Sequence, residues 1–327
     1  MNYLQQEILK NIPLKLIKKI NNENPIGLLY HTVSDDIIPH TQFIINHKSV
    51  KQFKDDIELL LKNYDPIDVS DIMDYMGKKN NKIFFTFDDG YREIYDVVAP
   101  ILLKKGINAG IFIPLDFIDN KKLGHRNKIS LIINSIINSK NKENKVEIIR
   151  NYLNLKNYDI NDTIQVLLNM GFHNQELIDK IAELIEVNFN DYLKEKRPYL
   201  STHQLSELQN KGFYIGAHSI NHPYYQDLPI DEQVYQTSKS IEYFIKYFNN
   251  KLNIFALPFN NVGITNNFYN QTTKEADIVL GTRGIQKEGH KLVNRIEMEN
   301  GNTAYLSLKK EYIKAIINNI LKYKYVT

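Results

Sequence analysis

The run Lys82-Ile-Phe-Phe-Thr-Phe87 is apolar at consecutive rather than alternate positions and stops at Asp88-Asp89-Gly90. A strand that hides both of its faces needs cover on both, the situation of a parallel sheet clothed by helices. The neighbouring patterns agree with that. Ile26-Gly-Leu-Leu-Tyr30 is a second short apolar run, ending at His31, and 109–114 is a third. Between them the spacing predicts an amphipathic helix over 49–63, with Ser49 as its cap and Phe53, Ile57, Leu60 and Leu61 on one face. A short helix is expected over 69–76 and a longer one over 91–105, stopping before Gly106. Such alternation predicts an α/β fold, in which chemistry collects where strand C-termini open into loops.

From about residue 119 to 197 the rhythm stops. The stretch is rich in Asn and Lys, has helical patches at 129–137, 145–153 and 175–189, and offers no strand. It reads as a helical insertion. Alternation resumes with a helix over 202–211, a strand over 212–217 ending at His218, a helix over 231–248, and later strands at 253–257, 278–281 and 291–296. The expected division is an N-terminal amphipathic helix at 1–25, a catalytic unit at 26–118 and 198–300 split by the insertion at 119–197, and a C-terminal helix at 301–327.

Forty-one Lys and Arg against 38 Asp and Glu leave a net charge of +3, too small to favour a polyanionic partner such as nucleic acid. There is no cysteine. Disulfides and thiolate ligands are therefore excluded, and any metal must be held by imidazoles and carboxylates. The first twenty residues lack the apolar core of a secretory signal, so a cytoplasmic location is expected. Leu4, Ile8, Ile12, Leu16 and Ile20 recur at helical spacing with lysines between them, which gives peripheral membrane contact through residues 1–20 as a second reading.

Two motifs carry chemistry. In Thr86-Phe-Asp-Asp-Gly90, neighbouring carboxylates at a strand end diverge, so one can bind a cation while the other faces substrate. In His218-Ser-Ile-Asn-His222, the i, i+4 spacing would put both imidazoles on one face of a helical turn, ready to share a metal. Each follows directly on an expected strand of one sheet. The pair resembles the signature of the NodB-type polysaccharide deacetylases, carbohydrate esterase family four. The likeness extends to Leu29-Tyr-His-Thr-Val33, Val50-Lys-Gln-Phe53 and the segment from Leu200 to His218, over roughly 26–118 and 198–298.

The resemblance implies a distorted (β/α) barrel of the NodB-homology type. It also implies hydrolysis of N-acetyl, or O-acetyl, groups on a sugar, polysaccharide or glycan precursor. Asp88 would be the base, and Asp89, His218 and His222 the ligands of a divalent metal, with Zn²⁺ as the default. The chain departs from the family pattern twice. Ala256 stands where an Arg commonly steadies the base, so Arg295 in Asn294-Arg-Ile-Glu297 becomes the candidate for that task. The Leu-x-His motif that supplies the general acid is missing, which leaves the acid unassigned; His290 is a weak candidate, and His31, at the end of the first strand, is a better-placed candidate for a catalytic-site contact. Tyr91, directly after the Asp-Asp-Gly turn, is the candidate for stacking on substrate. Two other readings are a hydrolase of non-sugar amides on the same fold and a glycan-binding homologue that has lost catalytic power.

Overall fold

Alternate side chains of the strand β3 (Lys82–Asp88) serve two different cores. Ile83, Phe85 and Phe87 pack outward into the main cluster under the helices. Phe84 packs inward with Phe112, Tyr214, Ile254, Ala256, Ile278, Leu280 and Val293, a set drawn from six different strands. Side chains meeting from so many strands define the lumen of a closed barrel, filled as a core and not left as a pore.

The computed structural model describes residue 13 and residues 24–324, except 156–158, 273, 286, 289 and 290. Among these, seven parallel strands run in the order β1 (Ile26–Tyr30), β3, β4 (Ala109–Ile113), β5 (Tyr214–Ala217), β6 (Ile254–Ala256), β7 (Ile278–Gly281) and β9 (Leu292–Glu297). Pairing of β1 with β9, Gly27 opposite Arg295, closes the ring. Two short strands decorate it: β2 (Asp65–Pro66) lies parallel to β3, and β8 (Lys287–Glu288) antiparallel to β9. The helix expected at 1–25, with its membrane reading, lies outside the described residues, as does His290. No helix among the described residues is long and apolar enough to cross a membrane.

Helix Val50–Asn63 begins as read, with Ser49 and Gln52 forming a reciprocal capping box. The helix expected over 91–105 differs. It opens only at Ile94 with one π turn, Ile94–Val98, before Ala99–Leu103. Pro100 has no N–H to give to the preceding turn, and Tyr91 is held away by a bridge to Tyr199. Between β4 and β5, helices His125–Ile137, Lys142–Leu153, Ile160–Leu168 and Gln175–Leu184 surround their own apolar cluster, which includes Ile132, Ile149 and Ile181. The single helix expected over 175–189 is two, because Glu186 turns left-handed at φ 60° before Phe189–Lys196. Ile160–Leu168 is an additional helix, capped by Asp159.

One position in the lumen tolerates no side chain. A Cβ on Gly27 would stand 2.6 Å from Arg295 Cγ and 2.6 Å from the Phe84 ring. We expect Gly27→Ala to destabilise the fold by about 1–3 kcal/mol through overpacking, read as a lowered midpoint in urea unfolding.

Candidate functional site

The period of two that fills the lumen also aims the site residues. On β3 the inward positions after Phe84 are Thr86 and Asp88; on β5, Tyr214 and Gly216 lead to His218. On β1, Gly27 and Leu29 lead to His31, and on β9, Val293 and Arg295 lead to Glu297 and Glu299. These strand ends open into a cavity of about 420 Å³, lined by Asp88, Asp89, His31, His218, His222 and Glu299 among others.

Asp89 leaves β3 with a left-handed backbone, φ 67°, and Gly90 follows at φ 67°. Gly90 is required twice over, since a Cβ there would also meet Ile113 Cδ1 at 2.2 Å. This turn swings Asp89 away from the lumen and over to the loop after β5. The loop corrects one expectation: His218 and His222 do not share a helical turn. Ser219 at φ 70° and His222 at φ 59° break any helix, and the Ser219 hydroxyl accepts the His222 N–H at 3.0 Å. Leu115 and Asp116 donate backbone N–H groups to Ser219 and Ile220, which pins the loop to the chain after β4. The two imidazoles meet through loop geometry instead.

Asp89 Oδ1 lies 3.1 Å from His222 Nε2 and 3.4 Å from His218 Nε2, and the two Nε2 atoms are 3.2 Å apart. All three groups are buried, and Asp89 Oδ1 has no hydrogen-bond partner. His218 Nδ1 donates to the Ala256 carbonyl at 2.8 Å, which fixes the tautomer and leaves the Nε2 lone pair facing its neighbours. Two imidazole nitrogens and one carboxylate oxygen, converging within 4.8 Å, match the N and O donor set of a catalytic divalent-metal centre with an open position. Burial opposes charge on Asp89, yet the imidazoles of His222 and His218, with His31 beyond, hold its carboxyl well below the ordinary range. Burial and the adjacent His218 lower His222 against the pull of Asp89, so its nitrogen stays available as a ligand.

Asp88 belongs to a different partnership. Arg295, fully buried, grips both its oxygens, Nη1 to Oδ1 at 2.7 Å and Nη2 to Oδ2 at 2.8 Å. The guanidinium also donates to Thr86 Oγ1 and the Gly281 carbonyl. Burial works to raise the Asp88 pKa, but Arg295, then His218 and His31, lower it below the ordinary carboxylate value. The carboxylate is thus held ionised and in one orientation, the task sought for an Arg when Ala256 was read in its usual place.

His31 stands across the cavity. Glu299 receives the His31 ring at Nδ1 (2.5 Å), the His31 N–H (2.9 Å) and the Thr32 N–H (3.0 Å). Burial disfavours the imidazolium, but Glu299, with Asp89 and Asp88 behind it, raises its pKa to about 10. The ring is partly exposed and keeps Nε2 for a ligand.

Tyr91 departs from its expected role. It is 1% exposed, with its ring stacked on Tyr199 at 5.7 Å and flanked by His40, so it has no open face for a sugar. Asn127 donates to the Tyr91 hydroxyl at 2.9 Å, and burial and the Asp89 carboxylate together push that hydroxyl well above its ordinary pKa. Tyr91 therefore buttresses Asp89. The open aromatic pair is elsewhere: Tyr224 and Phe259 stack at 3.7 Å on the cavity wall. Glu299, Asn127 and Phe259 were not singled out from sequence. Only Glu299 carried a usable signal, lying two and four residues beyond Glu297 and Arg295 on the same inward register.

A family model described as polysaccharide deacetylase matches residues 76–284, more than half of the chain. No curated protein sequence matches. Among solved structures, the Streptococcus pyogenes deacetylase PplD in complex with acetate is similar at TM-score 0.54 and 14% identity, over 88% of this chain and 97% of that one. IcaB from Ammonifex degensii is similar at TM-score 0.55 and 13% identity, over 89% and 98%. A de-N-acetylase from Aggregatibacter actinomycetemcomitans gives 0.51 and 16%, over 88% and 99%. At such identities the structures speak for the shared barrel, and the family match speaks for the chemistry. The chain belongs to the polysaccharide deacetylase family, hydrolases of carbon–nitrogen bonds other than peptide bonds.

Proposed function

We propose that this protein removes N-acetyl groups, with O-acetyl as the second linkage, from a sugar or glycan precursor, using a divalent cation held by Asp89, His218 and His222. The observation that carries this reading is the presence, in one cavity, of a three-donor cluster and a separate carboxylate clamped by Arg295. Zn²⁺ suits two imidazoles and one carboxylate without thiolate. When bound there, the cation would polarise the acyl carbonyl and acidify a water.

The remaining roles fall to the chain itself. Asp88, ionised beside Arg295, takes the proton of the attacking water, whose oxygen forms the new bond to the acyl carbon. The carbon–nitrogen bond then breaks, and the nitrogen needs a proton. His31 supplies it from Nε2, since Nδ1 is committed to Glu299 and the raised pKa keeps the ring protonated at neutral pH. Acetate and a free amine leave. That PplD carries acetate, the acyl product of such a step, supports the same assignment.

The test is acetate release from N- and O-acetylated oligosaccharides by the Zn²⁺-loaded protein. Asp88→Asn is expected to keep its metal and lose about 10²–10⁴-fold in kcat, and His31→Gln about 10²-fold. His222→Ala should lose the metal. Absence of acetate release across the panel by fully loaded protein, or full activity in Asp88→Asn, would sink the reading.

The His31–Glu299 pair makes a separate, metal-free prediction. A pKa raised from 6.5 to about 10 on folding gives a stabilisation that is complete below 6.5 and is lost as pH rises through about 10. Unfolding free energy of the metal-free protein should therefore fall across that window, and His31→Gln should flatten the slope. An unchanged slope in the variant would dissociate His31 from the effect.

A further inference from the structure

The segment between β4 and β5 touches the cavity at one place, the start of helix His125–Ile137. Gly124, His125, Arg126 and Asn127 all line the cavity that holds the three-donor cluster. This helix has 13 residues and no side-chain cap, because its N-cap is Gly124, which has no side chain, and the Asn127 side chain bonds Tyr91, Tyr199 and His40. These residues place the N-terminus of the helix, the positive end of its dipole, at the cavity wall.

A second observation is independent of the helix end. His125 is 1% exposed, and neither ring nitrogen has a hydrogen-bond partner. Its ring stands 6.0 Å from Tyr224 and 5.8 Å from Phe259, the stacked pair on the cavity wall, and Phe259 in turn lies 4.3 Å from His222. A buried imidazole with both nitrogens orphaned costs free energy unless something supplies a partner. Beside it, the Arg126 guanidinium is anchored on the Leu168 carbonyl. Burial first, then His222, Arg126 and Lys128 against the opposing pull of Asp89, hold the His125 pKa down at about 3, so the ring is neutral and offers one N–H and one lone pair. Of the four carboxylates that line the cavity, Glu297 is exposed to solvent and the other three already have partners. Asp88 is matched by Arg295, Glu299 by His31, and Asp89 faces the two imidazoles.

We infer that His125, Arg126 and the N-terminus of helix His125–Ile137 form a subsite for an anionic group, a phosphate or a carboxylate, carried by the same acetylated sugar. The inference deepens the function proposed above and rests on it for the identity of the sugar. It makes the substrate bifunctional: an acetyl group at the three-donor cluster and an anion one aromatic layer away. A phosphorylated or nucleotide-linked sugar would supply a phosphate, and a uronate-bearing glycan a carboxylate.

The experiment uses Zn²⁺-loaded protein and three substrates that share an N-acetylglucosamine unit: a neutral oligosaccharide, a sugar 1-phosphate and a uronate-containing disaccharide. One charge-assisted contact predicts a kcat/KM for the preferred anionic substrate about tenfold or more above the neutral one. In Arg126→Gln and in His125→Phe, which keeps an aromatic ring among Phe172, Tyr224 and Phe259, that ratio should collapse towards one. Preference for the phosphate or for the uronate names the source. A parallel titration with inorganic phosphate and with glucuronate follows the His125 ring by NMR, its resonance assigned by the His125→Phe spectrum. Equal turnover of neutral and anionic substrates, with no anion-induced shift of His125, overturns the subsite while leaving deacetylation intact. A His125 shift that Arg126→Gln abolishes, in a protein that releases no acetate, upholds the subsite and rejects the deacetylase reading.

Discussion

Everything at the site depends on how the barrel closes. Gly27 to Leu29 pairs with Arg295 to Glu297, joining the first described strand to the last. This one pairing delivers Arg295 to Asp88, and it brings Glu299 within reach of His31. The proposed base, the proposed acid and both of their partners thus come from three strands or their C-terminal ends, β1, β3 and β9, that are contiguous only because the ring is shut. Gly27 makes the closure possible, since the Arg295 stem and the Phe84 ring fill the space in front of it. An Arg buried at the end of such a lumen would be intolerable alone; leaving either partner of a buried pair uncompensated costs about 3–5 kcal/mol. Asp88 is what makes Arg295 admissible, and Arg295 is what keeps Asp88 charged.

The same logic of paired charge separates the two adjacent aspartates. Both are buried, and both hold a carboxyl below its ordinary pKa, but for different reasons. Asp88 remains on the strand register and meets a permanent cation. Asp89 leaves the register through a left-handed residue and meets two neutral-capable imidazoles, which can ligate but cannot replace a cation. One carboxylate is therefore satisfied by the protein, which suits the base proposed for it, while the other keeps donors that a cation could complete. Their adjacency in sequence is what makes the difference of one backbone dihedral so consequential.

Much of this was legible in the sequence. The apolar run of β3, the turn after it and the two histidines pointed to the parallel sheet, the three-donor cluster and a separate carboxylate, and inward parity would have pointed to Glu299 as well. Other parts were not legible, for identifiable reasons. The i, i+4 spacing of His218 and His222 suggested a helix because spacing carries no information about φ at Ser219. Tyr91 looked exposed because it follows a turn, whereas the bridge to Tyr199 that buries it comes from a residue 108 positions away. The long helix at 175–189 was broken by Glu186, a residue with no special claim to a left-handed conformation. Long-range pairing and non-glycine strain leave no local trace.

Part of that strain lies at the site. Asp89, Ser219, His222 and Phe259 all take positive φ without being glycine, and all belong to the cavity or to the loop that forms it. Each such residue costs of order 1–3 kcal/mol and persists only where its surroundings over-determine it. Here the surroundings are visible: Ser219 is bonded to His222, Ile220 N–H to Gln236, and Phe259 is clamped between Tyr224 and His222. Phe259 is the most telling, because a bulky side chain in that conformation is a true outlier. It sits at the contact between the three-donor cluster and the wall built by His125. Left-handed residues also occur at turns elsewhere, such as Asn154, Glu186 and Asn249, but the four at the cavity include the one bulky aromatic, at the contact between the barrel loops and the helical segment between β4 and β5.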